Sequence, residues 1–513
     1  MGLSLYMLAV LAVAGIYLFQ KELFSYSDIP YTIVDGSNPL NPDRPALKQF
    51  YNWLELFNAQ DRKALIAYHA ANFPYDVANE DIANIDREIA LSQHTGGFKF
   101  VEIIKPCEDN DADRNDTITV LLREKKRPQF ARSSLKVNPS KENNPVTKFE
   151  IRPIHTPIKY VPDDRKEEYE KALAPLTPER RHMVVVEICE VIRKQYIFPE
   201  IGVEMIEDLQ AKESKGLYDN FTESEVWANR LTDDMYAVSK DKHIRVLFSE
   251  PLSGANNGDE HDGRRPPNLF NSLKDVNFGF RTPSVEIIRD KKIGILPIDG
   301  FVPSTPDLAG DHRKIRKAIG NIVSTIADAN ALLIDLRGNG GGIPDTVAFV
   351  LSYLLDGGPV HLLDFVDRNG TTKYTYSTLP AAELPSGTTC FGGTKPLFVL
   401  TSKNTVSGGE EMAYDLQSLK RATSTIGENE TTAGAANPVM GESTICNKGF
   451  GQGWWRVGIP DMRPVNAVTG SNWEGVGVRS DMIVEEGEDA IILGKRMAMK
   501  ELELRDAPVL QEL

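Results

Sequence analysis

Two apolar runs in the second half of the chain each break into a glycine-rich turn, and together they restrict the fold more than any other feature. The first, 331–336, leads into Asp335-Leu336-Arg337-Gly338-Asn339-Gly340-Gly341-Gly342. Four glycines in five residues let the backbone turn sharply, approach another segment closely and present N–H groups to an anion. The second, 396–401, leads into Thr405-Val406-Ser407-Gly408-Gly409-Glu410-Glu411 and then a helical pattern over 412–419. Around them strands and helices alternate. Short apolar runs stand at 293–298 and 424–427, Ile315, Ile319, Ile322, Val323 and Ile326 form one helical face, and 347–355 reads as a further helix. Strands separated by helices of that length require right-handed crossovers and a mostly parallel sheet, which makes this half α/β.

A serine at a strand-to-helix turn is exposed, and the helix N-terminus favours negative charge developing beside it. Ser407 therefore suits a nucleophile. Ser407 and Glu410 also have the Ser-x-x-Glu spacing of a capping box, so a plain helix cap is the competing reading of the same residues. The first turn matches neither the phosphate-binding nor the dinucleotide-binding glycine pattern.

The rest of the chain supplies context. At 513 residues it has room for two to four units of roughly 150 residues. A net charge of −15 and the lack of a basic run with interleaved aromatics argue against a nucleic-acid partner. Residues 3–19 form a nearly unbroken apolar run with Lys21 behind it, slightly short of the ~20 residues of a spanning helix. That points to a signal peptide or membrane anchor over 1–21, and to an exported catalytic domain: secreted, periplasmic or membrane-anchored. From 43 to 157, a helical pattern (45–73) followed by strand patterns (98–104, 117–123, 129–137, 149–154) indicates a small α+β domain resembling the cone-shaped cystatin or nuclear-transport-factor type. Residues 162–250 read as mainly helical, with a capping box at Thr222 and Glu225, and 253–267 as a linker before a domain over 268–500. Of the four cysteines, Cys390 and Cys446 flank the serine region and are a possible bridge.

The two turns together resemble those of the serine peptidases that include C-terminal processing proteases, the tricorn core protease and interphotoreceptor retinoid-binding protein. The shared pattern is a strand ending in D-L-R-x-N-x-G-G, then T-x-S-x-x-E, followed here by Gly427-Glu428 and Thr431-Thr432-Ala433-Gly434. The resemblance covers 162–498 and implies a crotonase-like (ClpP/crotonase) β/α peptidase domain with a helical N-terminal cap. Processing proteases carry a lysine base where this chain has Gly434-Ala435-Ala436, so the tricorn and retinoid-binding branch is the better match. On that match Ser407 is the nucleophile, His243 in Asp241-Lys242-His243 the base, and Glu474 in Glu474-Gly475-Val476 the orienting carboxylate. The tricorn pattern has a serine before the histidine where this chain has Lys242. Oxyanion donors are expected from the N–H of Gly408 and one of Gly340 or Gly341. No PDZ segment is evident and no cofactor or metal is called for. The substrates implied are peptides or unfolded proteins, hydrolysed through an acyl-enzyme. The alternative is a carrier of apolar ligands on the same fold, and a third reading makes the small α+β domain an assembly module.

Overall fold

The computed structural model describes residues 31–33, 44–73, 85–106, 116–251, 269–446 and 454–506, with short gaps at 86–87, 90, 94, 250, 307–308 and 486. The apolar run 3–19, Cys107 and the whole 253–267 linker lie outside the described residues. Among the described residues no helix is long and apolar enough to cross a membrane. They fall into two compact units, the first running to Ala174 and including 249–251, the second holding Pro175–Phe248 and the remainder.

In the first unit a five-stranded antiparallel sheet runs in chain order: β1 (Tyr31–Ile33), β2 (Phe98–Pro106), β3 (Thr117–Glu124), β4 (Phe130–Val137) and β5 (Val146–Ile154). The helical stretch expected over 45–73 is two helices, α1 (Pro45–Ala59) and α2 (Arg62–Asn72). Gln60 turns left-handed at φ 59° and ends α1, and the Asp61 carboxylate caps α2 by accepting from Ala64 N–H at 3.0 Å. Leu47, Phe50, Trp53, Leu54 and Phe57 bury one face of α1 against Ile118, Val120, Leu122 and Leu135. A short helix α3 (Lys166–Leu173) belongs to this unit, where Tyr169 OH donates to Thr156 O at 2.7 Å.

The second unit opens with three helices, α4 (Pro178–Gln195), α5 (Pro199–Ser214) and α6 (Ser224–Ser239). The capping box expected at Thr222 and Glu225 is not made. The helix starts one residue later with Glu223 as its N-cap, and Thr222 lies outside it with its carbonyl accepting from Leu176 N–H. Past β6 (Arg245–Phe248) and α7 (Leu269–Asp275) comes the central sheet. Its strands are β7 (Ser284–Ile288), β8 (Lys291–Pro297), β9 (Ala331–Asp335), β12 (Leu397–Thr401), β13 (Ser424–Gly427) and β17 (Met482–Ile483), in the spatial order β17-β13-β12-β9-β8-β7. From β8 to β17 every neighbouring pair is parallel, and only β7 is antiparallel. All five residues of β9 and of β12 are buried, which is why both read as unbroken apolar runs. The helices α8 (His312–Ser324), α9 (Pro344–Leu351) and α10 (Gly408–Ser418) pack into one large core, and α11 (Ala490–Asp506) covers Leu333, Phe398, Leu400 and Ile426.

The stretch 360–390 contains the hairpin β10 (His361–Asp367) and β11 (Thr372–Ser377), and β10 pairs with β16 (Met462–Asn466). A further three-stranded sheet joins β14 (Glu442–Ile445) and β15 (Trp455–Gly458) to β6. Cys390 and Cys446 are both free, and Cys446 is buried, so the bridge between them is not formed.

Candidate active site

The two glycine-rich turns leave adjacent parallel strands, β9 and β12, at the same end, which brings them against each other. Asp335 closes β9. Its buried carboxylate accepts from Arg337 Nε at 2.8 Å and Nη2 at 3.0 Å and from Arg281 Nη2 at 3.1 Å, and these cations hold it ionised in spite of burial. The Asn339 carbonyl accepts from Val406 N–H at 2.9 Å, while its amide spans Ile298 O and Gly341 N–H. Thr405 Oγ1 donates to Leu336 O at 2.8 Å. The turn carrying Ser407 is therefore anchored to the first turn at several points.

Ser407 itself stands at φ 53°, ψ −117° as the residue before α10. An ordinary N-cap is extended, whereas a side-chain-bearing residue in this region is strained and is held there only by its surroundings. The restraint is visible. A Cβ on Gly341 would come within 2.8 Å of Ser407 Cβ, and one on Gly409 within 2.6 Å of Asn339 Oδ1. The Glu410 carboxylate accepts from Ser407 N–H at 3.0 Å, as the capping-box spacing anticipates. It also accepts from Thr432 Oγ1 at 2.5 Å and from the N–H groups of Gly434 at 2.6 Å and Ala435 at 2.9 Å. Burial pushes Glu410 up to about 7 against the pull of these donors. Glu410 thus ties the serine turn to the segment 432–437, a role that sequence reasoning gave only to a helix cap.

The same segment holds the other proposed residues. Glu474 Oε2 accepts from Ala436 N–H at 2.6 Å and Asn437 N–H at 2.9 Å. Asn437 Nδ2 donates to Asp241 Oδ2 at 3.1 Å, and Asp241 Oδ1 accepts from His243 N–H at 3.0 Å. One side-chain atom of each of Asp241, His243 and Glu474 lies within 4.8 Å of the other two. His243 keeps part of its surface accessible, but its Nδ1 is buried with no partner. Burial, helped by the Arg245 cation, lowers its pKa to about 4. Lys242 Nζ donates to Ala433 O. Asp241, His243 and Glu474 have the spacing to hold a cation, yet three of the carboxylate oxygens already accept amide hydrogens, which fits a proton-handling group better. No hydrogen bond joins Ser407 to His243 here; catalytic hydrogen bonds are often long without substrate.

The expected oxyanion donors need correction. Gly340 N–H donates to Asp299 O at 3.1 Å and Gly341 N–H to Asn339 Oδ1 at 2.8 Å, so both are spent on the turn itself. Among the described residues no protein group accepts from Gly408 or Gly342 N–H. These two are neighbours, since a Cβ on Gly408 would lie 3.0 Å from Gly342 N. Three glycines in a row conceal from sequence which amide stays open.

A strained serine at a helix N-terminus, on a parallel sheet and beside a glycine turn with an open amide, is one arrangement that serine hydrolases use. This chain is a serine-type peptidase. It belongs to peptidase family S41: the family model matches residues 292–444, and the model for the N-terminal domain of this family in eukaryotic IRBP matches 170–277, together just over half of the chain. Solved structures similar to it include a lipoprotein from Streptococcus agalactiae (13% identity, TM-score 0.39, covering 64% of this chain and 98% of that one). Another is the photosystem II D1 C-terminal processing protease (13%, 0.37, 61% and 96%). The tricorn protease is similar over 79% of this chain and 47% of its own, at 12% identity and TM-score 0.36.

Proposed function

We propose that the chain hydrolyses peptide bonds through an acyl-enzyme, with Ser407 as nucleophile, His243 as base and Glu474 as the carboxylate that serves the imidazole. The observation that carries this reading is the left-handed Ser407, held between the glycine turn and the Glu410 network with two unused N–H groups beside it. Ser407 Oγ attacks the substrate carbonyl as His243 takes its proton. The tetrahedral oxyanion is received by the N–H groups of Gly408 and Gly342, each worth ~10²- to 10³-fold in rate as a preorganised donor. His243 returns the proton to the leaving amine, and water repeats the sequence on the ester. Glu474 stabilises the imidazolium. The parallel sheet is then a crotonase-like core, the helices α4 to α6 act as its cap, and the substrates are unstructured peptides. Export or membrane anchorage through 3–19 completes the proposal.

The test is hydrolysis of a panel of unstructured peptides. Ser407→Ala and His243→Ala should each remove nearly all turnover, and the double variant should be little worse than either, because such groups act as a unit. Glu474→Gln should cost less. Full activity in Ser407→Ala would end the peptidase assignment of this site, and a wild type that binds apolar ligands without hydrolysing any peptide would favour the carrier.

A further inference from the structure

The serine that precedes the histidine in the tricorn branch is replaced by Lys242, and the residue one step earlier, Asp241, has no role in the reading above. It is nonetheless only 2% exposed and lies at the centre of the contacts around the base. α6 ends at Lys240 in a left-handed turn (φ 60°), Ser239 Oγ accepts from Asp241 N–H at 3.1 Å, and the Asp241 carboxylate reaches forward to His243 N–H. Its other oxygen reaches across the chain to Asn437. Asn437 N–H donates in turn to Glu474, and the segment that Asn437 ends is tied through Glu410 to Ser407.

We propose that Asp241 is a positioning residue for the base: with Asn437 it holds the His243 turn against the segment 432–437 that binds Glu474, and with Glu474 it forms a single carboxyl pair facing the imidazole. This rests on the assignment of Ser407, His243 and Glu474 made above. Asp241 is buried and Glu474 half-buried, and two carboxyl groups this close to each other cannot both ionise freely, so they titrate as a pair. Burial first, and then the Glu474 charge, push Asp241 up to about 7, and burial raises Glu474 as well. The groups facing the pair are the Tyr196 phenol from the end of α4, Ser239 from α6, Lys242 and His243 on the same turn, Arg245 on β6, and Asn437. As pH rises through about 7 Asp241 loses its proton and the pair gains a negative charge. That charge favours the imidazolium that forms as Ser407 loses its proton, so the rate of attack climbs through that ionisation.

The experiment is the rate at which a fluorophosphonate probe acylates the full chain between pH 5 and 9, which reports attack by Ser407 without a peptide substrate. Asp241→Asn should slow labelling about ten- to a hundredfold, the scale of a base held slightly out of place, and should lose the step near pH 7. Asn437→Ala keeps the pair and loses the tether, so it should be slower yet retain the step. If Asp241→Asn does not fold, judged by thermal unfolding, Asn437→Ala decides: a wild-type rate in it would overturn the proposal. Labelling of Asp241→Asn at the wild-type rate with the step retained would overturn it as well, leaving the catalytic assignment standing. A wild type that never labels would instead remove that assignment and this proposal with it.

Discussion

Directly behind Ser407, one and two turns along α10, sit Glu411 and Asp415, both buried. Asp415 Oδ1 accepts from Asn466 Nδ2 at 2.8 Å, but Asp415 Oδ2 and Glu411 Oε1 have no partner. Burial pushes Asp415 up to about 8 and Glu411 well above the usual carboxylate range. A folded-state pKa raised above the unfolded value means that stability is fully present below the unfolded pKa of ~3.9 and is lost as pH rises through the folded one. The wild type should therefore lose this contribution to its thermal stability as pH rises from about 4 to about 8. Asp415→Asn keeps the Asn466 contact without the charge and should lose less, by at least about 2–4 °C in Tm at pH 9, what about 1 kcal/mol is worth in a large domain. Equal slopes of Tm against pH for the two proteins would contradict this. The same logic moves the acid limb of catalysis. An ordinary imidazole pKa of ~6.5 is the expectation from sequence. His243, lowered to about 4, is already a free base at pH 5–6, so its own limb of kcat/KM should fall below 6.5, separate from the step near pH 7 that the carboxyl pair adds; a single limb at 6.5 would contradict both.

At the scale of elements, the parts that chemistry constrains most were the parts legible in sequence. β9 and β12 are buried throughout and so read as apolar runs, and the two turns need glycine where no Cβ fits. Gly341 is the sharpest case, at φ 100° with Ser407 Cβ where its own Cβ would go. Gly341→Val should displace the nucleophile and lower kcat about 10²-fold with a smaller change in KM, measured on a folded, soluble variant. An unchanged kcat would mean that the turn bends without moving Ser407. What escaped sequence reasoning depends on distant partners. β10 mixes His361, Asp364 and Asp367 into its apolar pattern and is completed by β16, about a hundred residues later. β14 and β15 are four residues each, and β15 pairs with β6, some two hundred residues away. Asp241, Glu410 and Asn437 were visible as letters, but their link through 432–437 is a property of the folded chain. The open amide likewise passed from Gly340 or Gly341 to Gly342 because only hydrogen-bond partners distinguish them.

For the whole molecule, each residue given a chemical role lies in the second unit, with Asp241, His243, Ser407, Glu410, Asn437 and Glu474 all between Pro175 and the C-terminus. The first unit has its own core around Phe50, Trp53 and Phe57 and supplies none of them. A chain beginning at Pro175 and folded by circular dichroism should therefore still be acylated by the fluorophosphonate at a rate within a few-fold of the full chain; loss of labelling in a folded product would give the first unit a part in catalysis. Gel filtration of the two chains tests the assembly reading, since an unchanged oligomeric state would remove it. The central claim is that Ser407 forms the covalent intermediate, and the direct test is to locate the adduct. After labelling the full chain, peptide mapping by mass spectrometry should find the phosphonate on Ser407, with Ser407→Ala unlabelled; a stoichiometric adduct on another serine, or labelling that persists in Ser407→Ala, would contradict the account.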